Sequence, residues 1–130
     1  NIETRQDNFK RQCSFFANYP EFFNNPEETH GSNTAWLAFP LLIKETAPFS
    51  RRDFQIFLEE RNIQTRVVFT GNILRQPMCK NIKKIVSDAG YPNADNVMRH
   101  GVLLPLHHGL TESMFNRFHA TVEEFISQYV

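Results

Sequence analysis

The stretch that most constrains the fold is residues 63–77, IQTRVVFTGNILRQP, which begins with the pattern of a strand and ends as a polar loop. Its first half alternates with a period of two, which predicts a strand with one face on a core. That core face would consist of Ile63, Thr65, Val67 and Phe69. Arg66 is on the opposite face, and Gly71 with Asn72 ends the extended run because both residue types tolerate positive φ.

Two guanidinium groups and two side-chain amides would converge near the end of this strand: Arg66, Asn72, Arg75 and Gln76. Arginine offers a planar fork of donors to anionic oxygens, which suits a phosphate or a polyhydroxylated ligand. Gly71 would shape the turn that carries these side chains. The same residues also fit a solvated hairpin tip with two surface arginines, and the spacing favours neither interpretation.

The histidines, lysines and possible nucleophiles add little chemistry. His107 follows the last predicted strand, where it could face the pocket of Arg66 or cap a turn, and we favour the turn. His108 would point to the opposite side of an extended backbone, and His119 is expected on the polar side of the last helix, so no metal site is predicted. No serine or cysteine has a base at a suitable spacing, and no lysine is in a setting that would desolvate it for Schiff-base chemistry. We therefore predict no catalytic residue in this chain.

The first half of the chain predicts two helices and one strand. Apolar residues at helical intervals indicate an amphipathic helix over residues 1–18, followed by a long loop over 20–33. Residues 34–44 are apolar on both alternating sets, which predicts a strand covered on two faces, with Pro40 placing it at an edge or a bulge. Ser50 is the predicted cap of a helix over 50–61, closed by a hydrophobic staple between Phe49 and Phe54.

The second half predicts short helices, one more strand and a long final helix. The short helices would lie near Ile82–Val86 and from Asn93 to Gly101, and the strand over 102–106. A helix from Thr111 to about Tyr129 would bury a stripe of five residues: Met114, Phe118, Val122, Phe125 and Ile126. The order of elements predicts a single domain, an α+β two-layer sandwich with a small, mostly antiparallel sheet and helices on one face.

Composition excludes several classes of function. Fourteen basic residues balance fourteen acidic ones, so no overall field attracts nucleic acid or an anionic membrane. No apolar run approaches the ~20 residues needed to span a bilayer. The cysteines Cys13 and Cys79 lack metal-ligand spacing, and we interpret both as reduced thiols of a cytoplasmic protein. Because the chain starts with Asn in a helical pattern, we expect it to be part of a longer protein.

The segment from Gly90 to Ile126 resembles the end of the pyridoxal-phosphate sugar aminotransferases of the DegT type. Their small domain has a Gly-aromatic-Pro-x-Ala-acidic run, then Leu-Pro-x-His, Leu-Thr and a closing helix. The matching positions are Gly90, Tyr91, Pro92, Ala94, Asp95, Leu104, Pro105, His107, Leu110 and Thr111. The first helix also resembles the long helix that leads into that domain, so the resemblance covers essentially the whole chain.

Within the family, the central stretch resembles the nucleotide-linked 4-keto-6-deoxyhexose 3-dehydratases. The similarity is carried by Thr65-Arg66, Phe69, Gly71-Asn72 and Arg75-Gln76-Pro77. It implies the C-terminal small domain of a fold-type I enzyme, with residues 1–18 as the helix linking it to a large cofactor domain. It also implies pyridoxal or pyridoxamine phosphate in a homodimeric full-length protein, and a nucleotide-sugar substrate used for lipopolysaccharide dideoxysugars. We expect no cofactor and no activity in this chain alone.

Three other interpretations stay open. The chain could be the C-terminal domain of a sugar-nucleotide aminotransferase rather than of a dehydratase. It could be a stand-alone α+β ligand-binding module, or a structural domain for dimer contacts in which the loop after Arg66 has no role in activity.

Overall fold

The computed structural model describes residues 1–130 and contains four helices and four short strands. In chain order these are α1 (Ile2–Phe16), β1 (Phe23–Asn24), β2 (Phe39–Ile43), α2 (Arg51–Glu60), β3 (Arg66–Val67), α3 (Pro92–His100), β4 (Gly101–Leu104) and α4 (Glu112–Ile126). Two 3₁₀ turns, Ile73–Arg75 and Pro77–Cys79, lie between β3 and α3. A small antiparallel sheet with packed helices confirms the predicted α+β class.

The four strands form one sheet in the order β1-β2-β4-β3, with every neighbouring pair antiparallel. Strand β2 buries Phe39, Leu41 and Ile43 on one face and leaves Pro40 and Leu42 half-buried on the other. Pro40 predicted an edge strand or a bulge, and both are wrong, because β2 is central and its register with β4 runs without a break through Pro40. The proline is tolerated there because β1 pairs only with Leu42 and Ile43, so no ladder bond to β1 is lost.

Phenylalanine rings fill the core between the sheet and the helices. The ring of Phe54 in α2 lies 5.2 Å from that of Phe125 in α4, and Phe16 in α1 lies 5.6 Å from Phe39 in β2. Full burial of one such side chain contributes roughly 1.5–3 kcal/mol. The predicted stripe of α4 is confirmed except at Met114, which is 51% exposed in the first turn of the helix, where the neighbouring Phe115 is buried instead.

A capping box and a hydrophobic staple define the start of α2, as predicted. The Ser50 hydroxyl accepts a hydrogen bond from the Asp53 amide at 3.1 Å, and the Asp53 carboxylate accepts one from the Ser50 amide at 2.9 Å. The rings of Phe49 and Phe54 lie 6.4 Å apart, which confirms the staple. This helix is therefore specified within its own sequence.

The predicted strand over 63–69 is shorter than its alternation suggests. Ile63 and Thr65 are buried as expected, but Val67 and Phe69 are 46% and 86% exposed. β3 pairs on one side only, with β4, and Phe69 leaves the extended region with φ of 45°. Val67 and Phe69 lie outside the core because β3 is an edge strand and the chain turns at Phe69.

Other boundaries also differ from the sequence predictions. The loop over 20–33 contains β1, and the strand predicted over 34–44 starts only at Phe39, because Trp36 instead stacks on Phe9 of α1 at 4.4 Å. The helix predicted near Ile82–Val86 is absent, and those apolar side chains are exposed. Helix α3 begins at Pro92 rather than after Asn93, since proline suits the first helical position.

Candidate functional site

A tight turn after β3 carries three of the five predicted site residues. Gly71 has φ of +63°, and a Cβ at this position would collide with the backbone and side chain of Met98 in α3. The glycine thus serves both the turn and the close approach to the helix. The side-chain Nε2 of Gln76 donates to the Thr70 carbonyl at 3.1 Å, which links the two ends of the loop that contains the turn.

Asn72 and Arg75 both bind the carboxylate of Asp95 in α3. Asn72 Nδ2 donates to Asp95 Oδ1 at 2.8 Å, while Arg75 donates from Nε at 3.0 Å and from Nη2 at 2.8 Å. The Asn72 oxygen in turn accepts from the Leu74 amide at 3.0 Å. The hydrogen bonds from Arg75, followed by that from Asn72, hold the pKa of Asp95 well below its usual range.

Arg66 lies in a different place. Its side chain is exposed on β3, donates to the Thr65 carbonyl at 2.9 Å and forms no salt bridge. It lines a shallow depression with residues of α2 that include Arg52 and Glu59. Glu59 accepts from the amide and the hydroxyl of Thr65 at 2.5 and 2.8 Å, and these bonds lower the pKa of its carboxyl.

The structure therefore divides the predicted site. Asn72 and Arg75 line an open pocket with Lys84, Tyr91 and Asp95, whereas Arg66 lines the depression beside α2. The predicted convergence of the two arginines in one pocket is not found. The alternation of residues 63–69 could not show this, because the turn at Phe69–Gly71 redirects the chain before Arg75.

His107 caps a turn, which is the interpretation that the sequence favoured. Its Nδ1 accepts from the Gly109 amide at 3.0 Å, and its carbonyl accepts from Asn8 of α1 at 3.2 Å. The ring lies against that of His108, with centroids 4.1 Å apart. Arg5 contacts His108 Nδ1 at 3.5 Å. The two histidines therefore pack against the N-terminal half of α1 and do not line the Arg66 depression.

His119 is not on a polar surface as expected, but between α1 and α4. Its ring stacks on Phe15 at 3.9 Å and its Nε2 lies 2.8 Å from the oxygen of the fully buried Gln12. Desolvation lowers the pKa of His119 to about 4, so the ring is neutral at pH 7. The side-chain Nε2 of Gln12 also donates to the Pro105 carbonyl at 3.2 Å. Gln12 thus connects α1 both to α4 and to the segment that follows β4.

No lysine of the chain is buried, and no cluster of metal-binding side chains is present. All five lysines are exposed or half-buried, and the Lys84 amine donates to the Cys79 carbonyl. The chain contains no group of three or more histidine, cysteine or acidic side chains that could hold a metal ion. None of the helices has the length and apolar character required to cross a membrane.

Comparison with known proteins identifies the family. The model of the DegT/DnrJ/EryC1/StrS aminotransferase family matches residues 1–123. The chain is 33% identical over 125 residues to the lipopolysaccharide biosynthesis protein RfbH of Salmonella typhimurium, which covers 95% of the chain and 28% of that protein. It is 32% identical over 103 residues to dTDP-4-dehydro-2,6-dideoxy-D-glucose 3-dehydratase of Saccharopolyspora spinosa, covering 79% of the chain and 22% of that enzyme.

Solved structures share the fold. The E. coli GDP-4-keto-6-deoxy-D-mannose-3-dehydratase with bound hydrated PLP superposes with a TM-score of 0.81 at 21% identity, over 92% of this chain and 30% of that one. An aminotransferase of the family from Brucella abortus gives a TM-score of 0.79 at 18% identity, over 96% and 31%. The chain thus spans under a third of the length of these relatives. With the family model matching nearly all of it, the chain belongs to the DegT/DnrJ/EryC1/StrS aminotransferase family.

Proposed function

We propose that this chain is the C-terminal small domain of a sugar-nucleotide 3-dehydratase that uses pyridoxal or pyridoxamine phosphate. The observation that carries the proposal is the 33% identity to a lipopolysaccharide biosynthesis protein over 95% of the chain, together with two 3-dehydratases among the relatives. Residues 1–18 would link it to a large domain that holds the cofactor. The whole protein would be a cytoplasmic homodimer that makes dideoxysugar precursors.

In this proposal Arg66 is the principal ligand-binding residue of the small domain. Its guanidinium is exposed and forms no salt bridge. It donates to the Thr65 carbonyl and to the side-chain oxygen of Gln64, an exposed neutral group that an anionic oxygen can displace. Glu59 accepts two hydrogen bonds from Thr65 and forms no salt bridge with Arg66, although the Arg66 charge contributes to the lowered pKa of the Glu59 carboxyl. A substrate diphosphate or cofactor phosphate is the natural partner of such a group.

Gly71, Asn72, Arg75 and His107 have supporting roles in the same proposal. Arg75 Nη1 has no hydrogen-bond partner, although the other side of its guanidinium is held by Asp95. Gly71 and Asn72 shape the turn that carries it. His107 would contribute from its turn beyond β4, provided that the full-length protein brings ligand to that end of the sheet.

Replacing Arg66 with Met in the full-length protein tests the ligand role. We expect the loss of a charge-assisted contact to cost about 1.5–3 kcal/mol, which lowers kcat/KM by roughly tenfold or more. The matched control is Lys10→Met, which removes an exposed cation from α1. Unchanged kinetics for Arg66→Met, with an unchanged melting temperature, would contradict the proposal.

The reaction itself is tested with 4-keto-6-deoxy sugars linked to different nucleoside diphosphates, beginning with the GDP and dTDP forms that relatives are named for. A dehydratase removes the 3-hydroxyl group, whereas an aminotransferase delivers an amino group to the sugar. Mass spectrometry of the product separates the two. An aminated sugar as the sole product would favour the second candidate, which the family match and the fold shared with aminotransferases support.

A further inference from the structure

The carboxylate of Asp95 receives three hydrogen bonds, and all three come from the turn after β3 rather than from its own helix. We call Asn72, Arg75 and Asp95 the clasp. Asn72 is 5% exposed and the Asp95 side chain 14% exposed, whereas Arg75 is 59% exposed. The acidic member is thus covered by its partners, and only the outer edge of Arg75 faces solvent. Asp95 is placed to hold the turn rather than to meet a ligand.

The backbone next to the clasp is held in a sparsely populated conformation. Phe69 has φ of 45° although its side chain is bulky and 86% exposed. Its amide donates to the Val67 carbonyl at 2.9 Å, and the Gly71 amide donates to the Val68 carbonyl at 3.0 Å. A non-glycine residue in this region is strained and persists only where its surroundings impose it.

Contacts with α3 hold the turn that follows Phe69. The clasp fixes residues 72 and 75 to the helix, while Gly71 rests directly on Met98 one turn along it. The two hydrogen bonds from Arg75 to Asp95 fix the Nε and Nη2 side of its guanidinium and so set the direction of the Nη1 edge. Hydrogen bonds within residues 67–76 shape the tip itself, and the clasp with the Met98 contact sets its position against α3.

We propose that Asp95 is a positioning residue for the ligand-binding turn. Through the clasp it orients the free Nη1 edge of Arg75 in the open pocket that Arg75 lines with Lys84 and Tyr91, for a ligand that carries a phosphate and an adjoining ring. The inference rests on the proposed function and names the residue through which Asn72 and Arg75 act.

Asp95→Asn in the full-length protein tests this, because it keeps the size of the side chain and removes the charge that binds Arg75. We expect amide hydrogen exchange in residues 69–76 to accelerate by about tenfold or more, with the exchange of α4 unchanged. KM for the 4-keto sugar nucleotide should rise about fivefold or more, with kcat within about twofold. Asp95→Glu, which restores the charge, should recover much of both effects. Asp88→Asn, an exposed carboxylate in the neighbouring segment, is the matched control.

The two proposals fail in different ways. Native exchange in residues 69–76 of Asp95→Asn, or faster exchange with an unchanged KM, would overturn the positioning role even if Arg66→Met weakens binding. An inert Arg66→Met would contradict the principal ligand role while the exchange and KM changes of Asp95→Asn still support the clasp. If Asp95→Asn does not fold, Asn72→Ala removes a clasp hydrogen bond to Asp95 while the Arg75 guanidinium stays in place, and it is judged by the same criteria.

Discussion

Gly71 shows how a single residue joins the candidate site to the fold. Its φ of +63° already disfavours any side chain, and the backbone of Met98 leaves no room for one. We expect Gly71→Ala to destabilise the protein by about 2–4 kcal/mol, measured by urea unfolding. Fluorescence of Trp36 and far-UV circular dichroism would follow the transition.

Gly90 provides the matched control for that substitution. Its φ is +66°, but a Cβ there would meet no atom within 4 Å. Gly90→Ala should therefore cost only the conformational strain, about 1–2 kcal/mol. Equal losses of stability in the two variants would show that the approach of the turn to α3 contributes nothing.

At the scale of elements, α2 depends on its first turn. Ser50→Ala removes the hydroxyl that accepts from the Asp53 amide, so we expect a loss of about 1 kcal/mol in the free energy of unfolding. Thermal denaturation of the variant and the parent measures this difference. Ser127→Ala, which removes a hydroxyl bonded to the Glu124 carbonyl after α4, should change stability by less than about 0.5 kcal/mol. A Ser50→Ala variant as stable as the parent would mean that packing of Phe54 and Leu58 alone sets the start of α2.

At the scale of the whole molecule, the contact between α1 and α4 makes stability depend on pH. The pKa of His119 is about 4 in the folded protein and near the ordinary value of 6.5 when unfolded. The unfolded state therefore binds more protons between pH 6.5 and 4, so stability falls as pH falls through that window and levels off below it. Because the ring is only half-buried, we expect a loss of about 1–2 kcal/mol rather than the full value of the shift.

His119→Gln is the variant that isolates this effect. Glutamine keeps a polar group near Gln12 but does not titrate, so the part of the pH dependence due to His119 should vanish. Urea unfolding at intervals between pH 4 and 7 gives the comparison. A variant with the same pH slope as the parent would assign the dependence to other groups.

The sequence by itself determined the α+β class, the four long helices to within a few residues and the family resemblance, but it also predicted a helix near Ile82–Val86 that is absent and missed β1. Caps and staples act within a few residues, as at Ser50 and Thr111, and the helical spacing of Phe118, Val122 and Phe125 is itself the contact surface with the core. The tertiary structure decided the order of the strands, the central position of β2 in spite of Pro40, and the exposure of Val67 and Phe69. It also decided that Arg75 binds Asp95 and that Arg66 faces another depression. These features depend on partners at least 20 residues away in the sequence, or on which strand edge stays unpaired. The spacing of apolar residues within one element contains no information on either.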